Sequence, residues 1–184
     1  MKKLILLLLA ALPAVNQCGA LAESRQRFAL VSWAAPKKLL YITHTAGHKH
    51  ESVPTSVEVM KELADESRAF AVTATADCSL LTRANLRQYR AVMFNTTGEL
   101  PMDEAQKQAL LDFVKNGGGF LGVHSATDTF YKWPSYGELI GGYFVRHPWH
   151  QEVTVRVEDQ SNPIVRDLAP SFRMTDEIYQ LRDF

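Results

Sequence analysis

Asn116-Gly-Gly-Gly-Phe-Leu-Gly-Val-His-Ser-Ala-Thr-Asp128 changes character twice within a short span. Before it, Met102, Ala105, Ala109 and Phe113 recur at helical spacing and predict one buried stripe. Gly117 is a fitting residue to stop that helix, because glycine enters the left-handed region without strain. Phe120 to Val123 then reads as a short apolar strand, and His124, Ser125, Thr127 and Asp128 break it with polar groups. Helix, glycine stop, buried strand and polar loop, in that order, belong to a parallel α/β unit. Ligands in such sheets collect outside the carboxyl ends of the strands, so His124 stands where chemistry is expected.

The same alternation continues outward. Lys38 to Thr43 is an apolar strand, followed by the loop His44-Thr-Ala-Gly-His-Lys-His50. Ser52 is the expected cap of the next helix, with Val53, Val57, Met60 and Ala64 on its inner face. Phe70 to Thr75 is a second strand, Leu80 to Gln88 a short helix or turn capped by Thr82, and Ala91 to Phe94 a third strand ending in Asn95-Thr96-Thr97-Gly98. Pro101, Asp103 and Glu104 open the helix that Gly117 closes. Strands alternating with helices predict a doubly wound, mostly parallel sheet with helices on both faces. After residue 128 the pattern changes. An aromatic loop covers 129–136, a helical turn Tyr136 to Ile140, and Glu152 to Val157 alternates with period two, which predicts one solvated face. Phe172 to Tyr179 is polar and acidic.

The chain has 184 residues and a formal net charge of zero, which suits one domain and gives no electrostatic case for nucleic acid. Its first residues belong outside the fold. Met1-Lys2-Lys3 is basic, Leu4 to Leu12 is apolar but too short to span a bilayer, and Ala20-Leu21-Ala22 offers a cleavage site. Residues 1–22 therefore read as a secretory signal peptide, 23–36 as a lead-in and 37–184 as the domain. The expectation is a secreted or periplasmic chain with no stable membrane association once the leader is cleaved. A lipoprotein at Cys18 is less favoured, because Val15-Asn16-Gln17 lacks the small residues expected there. Loss of Cys18 leaves Cys78 alone, without a disulfide partner.

Six histidines fall in three places: His44, His48 and His50 after the first strand, His124 after the fourth, and His147 and His150 around Pro148. The first two places share one edge of the sheet. Imidazole is the commonest metal-binding side chain, and catalytic zinc sites use three protein ligands with one position open. His48 and His50 point the same way if their loop is extended; His147 and His150 share a face if helical. No closed motif is present, so spacing alone leaves a metal site in competition with solvated loop histidines. Gly122-Val-His-Ser-Ala126 has the position of a nucleophile elbow, yet His124 occupies the nucleophile's place and Ser125 comes one residue late. Tyr131, Trp133, Tyr136 and Tyr143 could stack on a sugar or simply pack a core.

Several segments together resemble the ThuA-like (trehalose utilisation) family. They are Thr-Ala-Gly-His-Lys-His-Glu-Ser (45–52), Gly-Gly-Gly-Phe-Leu-Gly-Val-His-Ser-Ala (117–126), Gly-Gly-Tyr-Phe-Val-Arg-His-Pro (141–148), Val-Arg-Val-Glu-Asp (155–159), Asn-Pro (162–163) and Asp-Glu-Ile-Tyr (176–179). The resemblance implies a flavodoxin-like fold of the class I glutamine-amidotransferase-like type. It does not imply glutaminase chemistry, because His124 replaces the cysteine nucleophile. It implies that His50, His124, His147 and Glu177 match recurring polar positions, and that a divalent metal such as zinc is bound there. Members continue past the Asp-Glu-x-Tyr segment through further strands, so the domain reads as C-terminally truncated.

The expected function is thus a sugar-metabolism enzyme using metal-assisted chemistry on a sugar or keto-sugar derivative. His50, His124 and His147 are the expected metal ligands, and His124 and Glu177 the expected catalytic groups. Ser125, Asp128, Tyr131, Trp133 and Tyr179 are the expected substrate contacts. Two alternatives stand beside it: a non-catalytic carbohydrate-binding module on the aromatic loop, and a metal-free hydrolase using Ser125. The sugar, the reaction and the oligomeric state are not legible.

Overall fold

The structure is a computed structural model that describes residues 35–184. The expected leader at 1–22, Cys18 and the lead-in through residue 34 lie outside the described residues. The apolar runs form strands β1 (Lys37–Ile42), β2 (Phe70–Thr75), β3 (Ala91–Phe94) and β4 (Gly119–Gly122). All pair in parallel, in the order β2-β1-β3-β4. The chain steps from β1 to one side and then returns to the other, which is the flavodoxin-like, doubly wound order. Its switch point lies between β1 and β3.

Alternation along each strand sorts side chains to two faces. Leu40, Ile42, Val92 and Phe94 form one core with Leu86, Ala109, Leu110 and Tyr136. These come from α2 (Arg83–Leu86), α3 (Glu104–Lys115) and α4 (Pro134–Ile140). Leu39, Tyr41 and Met93 form the other core with Val57 and Met60 of α1 (Ser52–Ser67). Helices therefore cover both faces, as expected.

Several local expectations are corrected. Glu51, not Ser52, precedes the first turn of α1, and it makes no side-chain cap. Thr82 does cap α2, accepting from the Asn85 N–H at 3.2 Å. The α3 cap is a reciprocal pair, in which Asp103 accepts from the Gln106 N–H and the Gln106 side chain accepts from the Asp103 N–H. Ala105 is exposed, and Leu110 takes its place in the buried stripe. β4 is not the buried strand its composition suggests: Leu121 is 46% exposed. β4 is the sheet edge, and α1 packs toward β2 at the opposite edge, leaving the Leu121 face open.

Beyond α4 the chain forms an antiparallel ribbon, β5 (Tyr143–Arg156) and β6 (Ser171–Arg182). Val153 and Val155 are half-buried between exposed Glu152, Thr154 and Arg156, which realises the period-two reading. His147 and His150 lie in this strand, so the helical face proposed for them does not form. The ladder is irregular between Phe144 and Trp149. Pro148, which has no N–H to donate, lies inside that interval. No helix among the described residues is long and apolar enough to cross a membrane.

Candidate functional site

Three polar loops leave the carboxyl edge of the sheet and are stitched together by backbone. Thr45 bridges Thr97, and Gly98 bridges Thr129. The Ala46 N–H donates to the Thr97 carbonyl at 2.9 Å, and Thr97 Oγ1 donates to the His48 carbonyl at 2.8 Å. Beneath them Asn95, 2% exposed, donates through Nδ2 toward Tyr41 at 3.2 Å and Ser56 at 3.3 Å, while Ser125 Oγ donates to its Oδ1 at 3.4 Å. A buried polar network satisfied in this way fixes one arrangement of β1, α1, β3 and the His124 turn.

Three imidazoles meet above this base. The His48 and His50 ring centroids are 4.7 Å apart, and those of His50 and His124 4.4 Å, both edge to face. His124 opens a short 3₁₀ turn (His124–Asp128) and has φ of +50°. A non-glycine residue held there is strained, and such strain collects at functional sites. The nucleophile-elbow position is thus present, with an imidazole in it. His44 does not join the group; its Nδ1 is 2.9 Å from the Ala76 carbonyl.

The ribbon supplies the opposite wall. Glu177 and Tyr179 are two apart on β6 and share a face. The Tyr179 hydroxyl is 3.2 Å from His124 Nδ1. The His147 ring stacks on Tyr179 at 5.8 Å, and its Nδ1 is 3.8 Å from the Glu177 carboxylate. His150 is the register partner of Glu177 but remains exposed. His48, His50, Ser125, Asp128, Phe144, His147 and Tyr179 line a cavity of about 170 Å³. That is below the usual range of ~300–1,000 Å³ for ligand pockets, and suits one small polar molecule better than an oligosaccharide.

Burial, then the charges that His124 and His48 carry when protonated, push the His50 imidazole below its ordinary 6.5; Glu177 and Asp128 pull the other way. The pH dependence follows by linkage. Above 6.5 both folded and unfolded chains hold His50 neutral and it contributes nothing. As pH falls below 6.5 the unfolded chain takes up the proton first, so stability declines until the lowered folded value is passed. His50→Asn is expected to flatten this decline, read as the difference in urea midpoint between pH 7.5 and 5.5. An unchanged difference would remove His50 as its source. Burial, followed by the Glu177 carboxylate, pushes the Tyr179 hydroxyl up to about 12, which keeps it protonated at neutral pH.

The expected ligands are only partly brought together. His50 and His124 are in contact, whereas His147 lies beyond Tyr179. As the side chains stand, no three His, Cys, Asp or Glu among the described residues form a ready metal cluster. Asp128 lines the cavity and accepts from the Tyr131 hydroxyl at 2.5 Å, so Tyr131 holds Asp128. Ser125 is 2% exposed and engaged with Asn95. Trp133 packs on Phe130 and Tyr136, with Lys107 above its ring, and is not among the residues lining the cavity. Sequence reasoning left out Phe144, Asn95 and Thr97 and did not place His48 among the ligands. The polar run closing β3 was the available signal for Asn95 and Thr97; nothing in the sequence singled out Phe144 from its aromatic neighbours.

The family model ThuA, described as trehalose utilisation, matches residues 38–184. Among solved structures, a ThuA-like protein from Bacteroides uniformis is similar at a TM-score of 0.66 and 28% identity, covering 80% of this chain and 62% of its own. A ThuA-like protein from Parabacteroides merdae is similar at 0.66 and 22%, covering 79% and 63%, and carries the fold alone. The chain spans less than two thirds of the length of either. Among curated proteins none matches.

Proposed function

The chain belongs to the ThuA (trehalose utilisation) family, and from that premise we propose that it is a secreted or periplasmic enzyme acting on a small sugar or keto-sugar derivative with a divalent metal such as zinc. The supporting observation is the meeting of His48, His50 and His124 at the carboxyl edge of the sheet, beside a small cavity that His147 and Tyr179 of the ribbon also line, with Glu177 next to His147. The donor set fits a borderline ion of this kind, since imidazole and carboxylate are its ordinary ligands and His50 is biased toward the neutral state that ligation needs. His50 and His124 are the core of the set. His48 is the nearest third imidazole, and His147 with Glu177 approaches from the ribbon. In the tautomer with Nδ1 protonated, His124 donates to Tyr179 and leaves its Nε2 lone pair free, the arrangement in which an outer hydroxyl orients a ligand.

Such an ion, when bound, supplies Lewis acidity toward a carbonyl or hydroxyl oxygen. The chain's own residues supply the rest. Glu177, beside His147 and on the same strand face as Tyr179, is placed to take a proton as general base. Tyr179 stays protonated and serves as a hydrogen-bond donor. Asp128, oriented by Tyr131, accepts from a sugar hydroxyl at the cavity floor.

Neither alternative gains support. Ser125 Oγ faces Asn95, and none of its hydrogen bonds reaches an imidazole. Of the aromatic run, Tyr136 and Tyr143 are buried, and Trp133 is packed against the core. The test is zinc titration of the metal-depleted chain, followed by a turnover screen on keto-glycosides with and without chelator. About one zinc per chain and chelator-sensitive turnover are expected. Absence of zinc binding after reconstitution would overturn the metal reading.

A further inference from the structure

A groove of about 330 Å³ lies between α2 and α3, lined among others by Arg83, Arg87, Arg90, Tyr89, Phe113 and Asp112. It sits far from the histidines in the topology. Arg90 immediately precedes β3 and Gly118, also in its lining, immediately precedes β4, so the groove opens at the amino edge of the sheet. Its floor is apolar. Leu86 and Ala109 are 1% and 4% exposed, and the Tyr89 and Phe113 rings are half-buried against the same core.

Its rim carries three guanidiniums against one carboxylate. Two of them have internal partners. Arg83 pairs with Asp112, and Arg90 Nη1 donates to the Gly117 carbonyl at 2.9 Å. Arg87, exposed at the end of α2, has no side-chain hydrogen bond or ion pair among the described residues. Asp112 neutralises one of the three guanidiniums, which leaves the rim with a net positive charge complementary to an anion. An arginine fork also favours planar or tetrahedral oxyanions over other acceptors. A volume of this size lies at the lower end of small-molecule pockets.

We infer that this groove is a second binding site, for a small organic anion carrying a carboxylate or phosphate on a flat apolar body. The body lies on the Tyr89 and Phe113 rings, and the anion is met by Arg87 with Arg90 beside it. Nothing in the proposed sugar chemistry requires this site, and binding to it is independent of the histidine cluster.

The probe is 1-naphthyl phosphate, with 1-naphthol as its neutral counterpart, titrated calorimetrically into the full chain. A saturable single site is expected for the phosphate, with the naphthol bound at least tenfold more weakly. Arg87→Glu should weaken the phosphate at least tenfold while leaving thermal unfolding unchanged, because the side chain is exposed and unpaired. Phe113→Ala should weaken both probes, and His124→Ala neither. Equal affinity in wild type and Arg87→Glu, loss of binding in His124→Ala, or no saturable binding at millimolar probe would each overturn the site.

Discussion

Alanine at His124 is expected to remove zinc retention and turnover together, while the chain stays folded. His124 touches both halves of the site, with His50 on the loop side and the Tyr179 hydroxyl on the ribbon side. Loss of an outer-shell partner typically costs ~10–100-fold in metal affinity. Loss of an imidazole ligand should exceed that, so zinc affinity is expected to fall by more than about 100-fold. The stability cost should be small, because the side chain is exposed and packs no core. His44→Ala is the control: its ring is committed to the Ala76 carbonyl, and zinc binding should survive. Elemental analysis and single-turnover rates on both variants check this. Wild-type zinc content and rate in His124→Ala would end the reading that places the ion at β4.

The parallel sheet was legible because buried parallel strands announce themselves. Leu39 to Ile42 and Val92 to Phe94 are unbroken apolar runs, and all of these residues are buried. The carboxyl-edge position of His50 and His124 followed from the parallel alternation alone. What the sequence hid depended on the ribbon. His147 and His150 read equally well as a helical pair, and only pairing with β6 decides that they lie in a strand. The irregular register between Phe144 and Trp149 decides which histidine approaches Glu177, and Pro148 marks the place of the irregularity without fixing its register. Tyr131 and Trp133 show the same limit. Both are aromatic residues on one loop, yet one orients Asp128 and the other packs on Tyr136. Composition assigned them one role; packing gives them two.

Gly98→Ala is expected to dismantle the site from outside it. Gly98 has φ of +73°, and a Cβ there would stand 2.6 Å from the Gly47 nitrogen and 2.9 Å from the Ala46 carbonyl carbon. Both neighbours are backbone, so neither can swing aside as a flexible side chain would. The segment that must move is the one that Thr97 holds through the Ala46 N–H and the His48 carbonyl, and it carries His48 and His50. Gly117→Ala separates the two causes. Its φ is +91°, with nothing within 4 Å of the added carbon, so it reports the conformational penalty alone, on the order of 1–2 kcal/mol. Gly98→Ala should cost more than this in urea unfolding and should weaken zinc binding at least tenfold, whereas Gly117→Ala should leave zinc binding unchanged. If the two variants lose equal stability and Gly98→Ala binds zinc normally, the stitched loops do not set the position of the histidines. If zinc binding falls only in Gly98→Ala, the close approach of residue 98 to residues 46 and 47 is what holds His48 and His50 against His124.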